Sequence, residues 1–284
     1  MIESNIFEKI SSEYYQLTSA EKRVADFVAD HQQKTQYMSI SELSEEAGVA
    51  EATVTRFCKR LGCKGYNAFK LAVANSVAGR IDSLPPESEI TPDDSIAELG
   101  RKLYMADRDA MAQTLELLRP DDVKKAADIL CAADNVLCMG QGGSMLLAQE
   151  CAHLFSTSVP HFRAVSDSHL QAIAAAHLTE RDAVIYYSYS GSTEELLKNL
   201  RVVRDRGAGV ILITRFPKSP GAAYADVVLQ CGSREGLLQM GSVAARVAQL
   251  YLTDVLFHEV CRRDPAKCAE TRQLVAEVLS DRHI

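Results

Sequence analysis

After Leu118, five short apolar runs rich in β-branched residues alternate with helical stretches, and this alternation constrains the fold more than any other feature of the sequence. The runs are Asn135–Met139, His161–Val165, Ala183–Tyr187, Val210–Thr214 and Asp226–Gln230. The helical stretches are centred near Leu147, Ile173, Leu197, Ala222 and Val247. Strands that alternate with helices form a parallel sheet that helices cover on both faces. The sequence therefore predicts an α/β domain with a five-stranded parallel sheet.

A proline-rich segment separates this domain from the first part of the chain. Pro85, Pro86 and Pro92 fall close together and disfavour both helix and strand. A chain of 284 residues is long enough for about two domains. We therefore predict a helical domain over residues 1–80, a linker over 81–92, and the α/β domain over 93–284. The last of these begins with a helix from about Asp93 to Leu118.

The first 80 residues carry the start and stop signals of short helices. Thr18–Glu21 and Ser39–Glu42 both have the capping-box pattern that opens a helix. Gly48 ends the helix that Ser39 opens, because glycine tolerates a left-handed backbone. Another helix follows from about Glu51 to Leu61, and Gly62 ends it. Its apolar side chains recur three and four residues apart, so they share one buried face.

Two short helices joined by a turn at Gly48 have the layout of a helix-turn-helix, whose second helix enters the DNA major groove. We expect the DNA contacts on the outward face of that helix and just beyond it: Thr53, Thr55, Arg56, Lys59, Arg60, Lys64 and Lys70. Arginine can form two hydrogen bonds to guanine, threonine can meet base edges or phosphates, and the other basic side chains suit phosphates. The alternative is a helical bundle with a solvated basic face.

The distribution of charge favours the DNA-binding interpretation. The net charge of -7 would by itself argue against a nucleic-acid binder. However, residues 52–80 carry six basic residues and no acidic one, whereas residues 1–51 carry four basic and ten acidic residues. The positive charge is therefore concentrated on the second helix and the residues that follow it.

Two predicted strands are followed by loops that suit an anion. Gly140-Gln141-Gly142-Gly143-Ser144 follows the first strand and Ser188-Tyr189-Ser190-Gly191-Ser192-Thr193 follows the third, and a helix begins after each. Glycine lets a ligand approach the backbone, the helix start supplies N–H groups, and hydroxyls add donors. Because ligands of parallel sheets bind beyond the carboxyl ends of the strands, we predict a phosphate site there. Met145 breaks the dinucleotide motif G-x-G-x-x-G, and no G-K-[ST] follows.

Other classes of site are disfavoured. The eight cysteines never occur as C-x-x-C, and the histidines from His153 to His177 lack ligand spacing. We therefore expect no metal site, no disulfide and no cofactor. No apolar run reaches the length of a membrane span, and the first residues lack the pattern of a signal peptide. The sequence thus predicts a cytoplasmic protein that does not associate with membranes.

Together these residues resemble the RpiR family of bacterial transcription regulators, which join an N-terminal helix-turn-helix domain to a C-terminal sugar isomerase (SIS) domain. The resemblance covers nearly the whole chain. In the first domain it rests on residues 47–49, 51–62 and 64–66, and in the second on G-x-G-x-S from Gly140 and S-x-S-G-x-T from Ser188. Ser219-Pro220 and the helix Val243–Phe257 are also similar. Ala50 departs from the frequent family serine, and Cys63 from a common aromatic residue.

The resemblance implies a flavodoxin-like, three-layer SIS domain and a regulator of carbohydrate metabolism genes that senses a phosphorylated sugar or sugar acid. It adds Tyr66 to the expected DNA contacts. It assigns the effector to residues of the two loops: Gly142, Ser144, Ser188, Ser190, Gly191, Ser192 and Thr193. It also implies a homodimer or homotetramer, and a dimer of helix-turn-helix units would read a palindromic double-stranded DNA operator.

Two other functions are compatible with parts of the sequence. A phosphosugar isomerase would need a base to move a proton between neighbouring sugar carbons, and Glu150, His153 or Glu195 lies near the loops in sequence. A sensor that acts only through protein partners would leave the basic second helix unexplained. We predict a regulator rather than an enzyme.

Overall fold

The computed structural model describes residues 6–78, 90–232 and 243–280, and the chain divides into two compact units after Ala106. Helices form the first unit. They are α1 (Ile6–Glu13), α2 (Ser19–Asp30), α3 (Gln32–Thr35), α4 (Ile40–Glu46), α5 (Glu51–Arg60) and α6 (Tyr66–Ala78), with a 3₁₀ turn at Tyr14–Gln16. Helix α7 (Ile96–Leu117) contains the division between the units.

The helices of the first unit pack around one apolar core. Val24, Leu43 and Val54 are fully buried in it. The rings of Phe57 and Phe69 meet edge to face, with 5.6 Å between their centroids. Full burial of side chains of this size stabilises a fold by about 1.5–3 kcal/mol each. This core holds α5 in place and leaves its opposite face to solvent.

Both predicted capping boxes are present. The hydroxyls of Thr18 and Ser39 accept hydrogen bonds from the N–H groups of Glu21 and Glu42, at 3.3 and 3.1 Å. In return, each glutamate carboxylate accepts from the N–H of its capping residue at 2.9 Å. These bonds satisfy N–H groups that a helix start otherwise leaves without an acceptor, and so they fix where α2 and α4 begin.

The predicted pair of short helices is confirmed. Gly48 lies in the turn between α4 and α5 with a φ of 64°, and the N–H of Val49 donates to the carbonyl of Ser44 at 2.8 Å. Helix α5 starts after Ala50, which has an extended backbone and no capping side chain. Gly62, with a φ of 80°, follows its end. The two helices and their turn therefore have the helix-turn-helix layout.

The second unit is an α/β domain. After α7 it contains α8 (Pro120–Ala132), β1 (Asn135–Gly140), α9 (Gly143–Ser156), β2 (Phe162–Ala164), α10 (Ser168–Ala176), β3 (Asp182–Tyr187), α11 (Glu194–Asp205), β4 (Gly209–Thr214), β5 (Val227–Gln230), α12 (Val243–Cys261) and α13 (Pro265–Ser280). The strands pair in the order β2-β1-β3-β4-β5, and every pair is parallel. The predicted five-stranded parallel sheet is confirmed.

Helices cover both faces of this sheet. Alternate side chains of β1 point to opposite faces: Val136 and Cys138 join a core with α8, α9 and α12, whereas Leu137 and Met139 join a core with α10 and α11. The result is the three-layer arrangement that the sequence predicted. Both faces of the sheet are buried under helices, and for this reason the strands are nearly continuous apolar runs.

Some predicted boundaries differ from the structure. The helical stretch near Ala222 is only a 3₁₀ turn, Pro220–Tyr224, because five residues that begin with Pro-Gly are too few for a stable α-helix. The helix predicted over 93–118 is α7. Residues 81–89 of the predicted linker lie outside the described residues. Among the described helices, none is long and apolar enough to cross a membrane.

Candidate functional site

Glycines shape the loop between β1 and α9, residues 140–144, which we call loop 1. A side chain at Gly140 would place its Cβ 2.6 Å from the carbonyl oxygen of Ser144. Gly142 has a φ of 53° and a ψ of -125°, a combination that suits glycine alone. Gly142 and Gly143 are exposed, and their N–H groups stand at the helix start, where α9 offers no internal acceptor. Loop 1 therefore presents backbone donors at the positive end of a helix dipole.

Serine side chains organise the loop between β3 and α11, residues 188–193, which we call loop 2. The N–H of Gly191 donates to Ser188 Oγ at 3.1 Å, and the N–H of Ser192 donates to Ser190 Oγ at 3.3 Å. Thr193 stands at the N-cap of α11, but its hydroxyl makes no capping hydrogen bond. Ser188 is buried, whereas the other hydroxyl side chains of the loop are partly exposed.

The sheet brings the two loops side by side. Gly140 at the end of β1 pairs with Tyr187 at the end of β3, so the loops begin at adjacent positions. From β1 the chain turns to β2 on one side and then returns to β3 on the other. Ligands of open α/β sheets bind at such a switch point, beyond the carboxyl ends of the strands. All seven residues expected to bind the effector therefore lie at one edge of the sheet.

A buried amide network beside loop 1 was not predicted. Gln171 of α10 is fully buried and contacts Gly140 and Gln141, and its amide oxygen also accepts hydrogen bonds from Tyr186 and Asn199. Burial raises the pKa of the Tyr186 phenol, although hydrogen bonds from Gln141 and Asn199 oppose this shift. The sequence contained one weak signal, because Gln171 is the one polar residue between Leu170 and Ala176 in α10.

Helix α5 presents basic side chains on its exposed face. Arg56 and Lys59 are exposed, Thr55 is partly exposed, and Lys64 is exposed just beyond the helix. The Arg56 Nη2 donates to Thr53 Oγ1 at 3.1 Å, which restrains one terminal nitrogen of the guanidinium although the residue is exposed. These are the expected DNA contacts that the first unit leaves available.

Thr53 does not lie on the outward face, and that part of the prediction is wrong. Its side chain is buried, with a relative exposure of 6%. The reason is helical geometry, because position 53 stands four residues before the core residue Phe57 and so shares its face. Its contact with DNA stays a prediction.

Arg60 is engaged within the first unit. Its Nη1 donates to the carbonyl of Gln16 at 2.9 Å, and its Nε lies 3.5 Å from the Glu21 carboxylate. Burial by itself raises the pKa of Glu21, but hydrogen bonds from Thr18 and the positive charge of Arg60 outweigh it, so the pKa is lowered. Arg60 therefore ties α5 to the start of α2, and its contact with phosphate stays a prediction.

Tyr66 and Lys70 are also packed into the unit. The Tyr66 hydroxyl donates to the carbonyls of Met38 and Ser39, at 2.9 and 3.2 Å. The Lys70 Nζ lies 5.9 Å from the centre of the Tyr66 ring. Burial lowers the pKa of Lys70 to about 8, although the charge of Glu42 acts in the other direction. These contacts join α6 to the start of α4, which positions the helix-turn-helix.

The three candidate bases for an isomerase occupy exposed positions. Glu150 and His153 lie on α9, roughly two turns beyond Ser144, with Glu150 Oε2 and His153 Nδ1 3.9 Å apart. Glu195 is exposed in the first turn of α11, where a carboxylate favours the helix dipole. The structure therefore gives each carboxylate a surface environment.

Comparison with protein families identifies both units. Residues 4–80 match the family model described as helix-turn-helix domain, rpiR family. Residues 129–259 match the SIS domain. The matched ranges contain α5 and both loops, respectively.

The chain is also similar to individual proteins and to a solved structure. The chain is 29% identical over 282 residues to an uncharacterized HTH-type transcriptional regulator of Haemophilus influenzae, covering 99% of this chain and 98% of that protein. It is 32% identical over 275 residues to the bifunctional protein glk of Paraburkholderia xenovorans, of which it covers 42%. The fold is similar to that of the Vibrio vulnificus NanR protein complexed with ManNAc-6P, with a TM-score of 0.89, 23% identity and coverage of 98% of this chain and 99% of that one.

Proposed function

Because the chain belongs to the RpiR family and joins an rpiR-type helix-turn-helix domain to a SIS domain, we propose that it is a transcription regulator of carbohydrate metabolism genes. A phosphorylated sugar or sugar acid bound in the SIS domain modulates its binding to an operator. One observation carries this proposal. Two glycine- and hydroxyl-rich loops meet at the switch point of the sheet in a chain that also has an exposed basic helix.

The DNA-binding part of the proposal rests on α5. Arg56 reads a base, and Lys59 and Lys64 neutralise phosphates, because guanidinium suits the guanine edge and ammonium suits a point charge. A homodimer or homotetramer in the cytoplasm places two such helices in major grooves one turn of DNA, or a multiple, apart. The operator is then a palindrome.

The effector part rests on the two loops. A phosphate accepts hydrogen bonds from the N–H groups at the starts of α9 and α11 and from the hydroxyls of Ser144, Ser190 and Thr193. The remaining proposed contacts come from the same loops: Gly142, Ser188, Gly191 and Ser192. The complex of the NanR protein with ManNAc-6P supports a phosphorylated sugar as the ligand class.

Thermal melting of the full chain tests the effector. We expect the melting temperature to rise with glucose 6-phosphate, fructose 6-phosphate, ManNAc-6P or 6-phosphogluconate, and not with the matching unphosphorylated sugars. Double-stranded sequences selected from a random pool by the same protein provide the operator. The effective phosphosugar should change the affinity for that operator. A protein that selects no sequence, or whose operator affinity no phosphosugar changes, would contradict the proposal.

The isomerase alternative is tested with the same preparation. Turnover of fructose 6-phosphate, measured as the appearance of the aldose, would require Glu150, His153 or Glu195 to act as a base. We propose that the chain is not an enzyme, since Glu150, His153 and Glu195 are all exposed on helix surfaces. Sustained turnover that Glu195→Gln abolishes would overturn this.

A further inference from the structure

Gln171, the fourth residue of α10, joins the carboxyl ends of two neighbouring strands. Its Nε2 donates to the carbonyl of Gly140, the last residue of β1, at 2.9 Å. The same nitrogen donates to the carbonyl of Val165, which follows β2, at 2.8 Å. A carboxamide has two N–H donors, so both are used on backbone oxygens. A carbonyl oxygen can accept a hydrogen bond from the amide nitrogen but not from the amide oxygen. The two backbone carbonyls therefore fix the orientation of the Gln171 amide.

The oxygen of the same amide is also fully engaged. Oε1 of Gln171 accepts from Gln141 Nε2 at 2.9 Å, from the Tyr186 hydroxyl at 3.2 Å and from Asn199 Nδ2 at 3.3 Å. Tyr186 belongs to β3, and Asn199 belongs to α11, the helix that follows loop 2. The amide therefore connects loop 1 to the two elements that flank loop 2.

Loop 1 has few other ties to the core. Gly142 and Gly143 have no side chains and are exposed, and nothing lies within 4 Å of the Cβ position of either residue. The N–H of Ser144 donates to the carbonyl of Gln141 at 3.0 Å, which is a bond inside the loop. The position of the loop therefore depends on how Gly140 and Gln141 are held. Gly140 pairs with Tyr187 in the sheet, and Gln141 Nε2 also donates to the Tyr186 hydroxyl at 3.4 Å. Gln171 contacts both Gly140 and Gln141.

We propose that Gln171 is a positioning residue that sets the geometry of loop 1 for a phosphate group and links that geometry to α11. This rests on the proposed function, because it concerns the same site. Gln171 does not touch the ligand. It holds the carbonyl of Gly140 and the side chain of Gln141, so that the N–H groups at the start of α9 are preorganised before the ligand arrives.

A purely structural role is the alternative, and Thr253 provides the matched control. Thr253 is as buried as Gln171, and its hydroxyl lies 2.7 Å from that of Tyr187, next to Tyr186 on the opposite face of the sheet. Thr253→Val removes this buried hydrogen bond without changing a contact of loop 1. Both variants should lower the melting temperature, but only a change at Gln171 should alter the loop.

The test combines hydrogen exchange with ligand binding in the full chain. In Gln171→Met, without ligand, peptides covering residues 140–146 should exchange about tenfold faster than in the wild type, while β4 should keep its protection. Inorganic phosphate should bind about tenfold more weakly. Gln141→Ala removes the hydrogen bonds of the Gln141 side chain to Gln171 and Tyr186 but keeps the bond from Gln171 to the Gly140 carbonyl, so it should shift both quantities in the same direction by about threefold. Thr253→Val should leave both at the wild-type values.

Two results would overturn the proposal. One is wild-type exchange of loop 1 and wild-type phosphate affinity in Gln171→Met together with a lowered melting temperature. The other result applies if Gln171→Met does not fold: wild-type exchange of loop 1 and wild-type phosphate affinity in Gln141→Ala would then overturn the proposal. Failure of the proposed function is a different outcome, because the wild-type protein would then show no saturable response to phosphate or phosphosugars. The exchange of loop 1 without ligand would still test whether Gln171 positions it.

Discussion

The basic residues on and after α5 differ in the contacts that their side chains make within the first unit. Arg60 contacts Gln16 and Glu21, and Lys70 is packed beside Tyr66. Arg56 and Lys59 are exposed, and Arg56 makes one bond to its own helix. A side chain that already has intramolecular partners gains less from a phosphate. The binding energy should therefore be concentrated on Arg56 and Lys59.

Substitution of Arg56 and of Lys59 should produce different defects. Arg56→Ala is expected to weaken binding to the selected operator by about 1–3 kcal/mol and to relax its sequence preference, because a bidentate contact to guanine is lost. Lys59→Ala should weaken binding to all DNA and reduce the salt slope by about 0.9. Fluorescence anisotropy over a salt series measures both. Arg181→Ala, on the surface of the second unit, is the control, and equal effects of all three substitutions would contradict the assignment.

The buried amine of Lys70 should make stability depend on pH. Its pKa falls from 10.5 in an unfolded chain to about 8 in the fold, so the folded state binds this proton less tightly. The free energy of unfolding should therefore rise as pH increases from about 8 towards 10. Lys70→Met should raise that free energy at pH 7 by about 1–3 kcal/mol and remove the rise. Chemical denaturation over this pH range tests it, with Lys59→Met as the exposed control. A lysine Cε resonance that titrates near 10.5 at this position would contradict it.

Among the structural elements, loop 2 depends on one glycine. Gly191 has a φ of 60°, and a Cβ there would overlap the Oγ of Ser219. Gly191→Ala is expected to destabilise the second unit by about 2–4 kcal/mol, from the positive φ and the overpacking. Gly143→Ala is the matched control, because nothing lies within 4 Å of its Cβ position and its φ is not positive. Thermal melting compares them.

A second substitution separates the two causes at Gly191. Ser219→Gly in the Gly191→Ala background removes the atoms that would overlap the new methyl group, so part of the stability should return. The strain of the positive φ would remain. Equal melting temperatures of Gly191→Ala and Gly143→Ala would show that the close approach to Ser219 does not determine the loop.

Helix α5 lacks a capping side chain at its start. Ala50 has the extended backbone of an N-cap residue, φ -78° and ψ 149°. The N–H of Thr53 donates to the Ala50 carbonyl at 2.8 Å, and a serine hydroxyl at position 50 would offer this N–H a capping acceptor. Ala50→Ser should stabilise the first unit by about 1 kcal/mol. That gain corresponds to a rise of roughly 4–8 °C in its melting temperature. Ala52→Ser, two residues further along, should give no such rise, and an equal rise in both would rule out capping as the cause.

The elements that the sequence predicted best are those with local signals. Each strand lies within one residue of its prediction, because strands buried on both faces are continuous apolar runs. Loop 1 and loop 2 were also found, since glycine and serine cluster at two strand ends. The order of the strands was not predicted, and neither was the Gln171 network. Its partners come from β1, β3 and α11, and no local pattern reports a contact between residues so far apart in the chain.

At the scale of the whole molecule, the net charge of the chain is negative, whereas the charge of one segment is positive. The chain carries a net -7, but the residues from 52 to 80 contribute only basic groups. Salt screens charges that are farther apart than the Debye length of about 8–10 Å. The acidic residues elsewhere in the chain therefore repel DNA only weakly, and they do not cancel the attraction between DNA and the basic side chains that touch it. They do disfavour indiscriminate association with nucleic acid. A protein with this distribution depends on specific contacts for its affinity.

The two binding sites should influence each other by the same factor in both directions. If the effective phosphosugar changes operator affinity by a given factor, the operator must change phosphosugar affinity by the same factor, because one coupling free energy describes both effects. Typical coupling free energies are about 1–3 kcal/mol, which corresponds to a 5- to 150-fold change in affinity. Anisotropy gives the first factor and calorimetry with and without operator gives the second. Ser190→Ala should raise the phosphosugar concentration needed for the shift by about five- to tenfold, through loss of one hydrogen bond. Ser156→Ala, whose hydroxyl bonds within α9, is the control. A factor of one in both directions for the wild-type protein would show that the phosphosugar site and the operator site are not coupled.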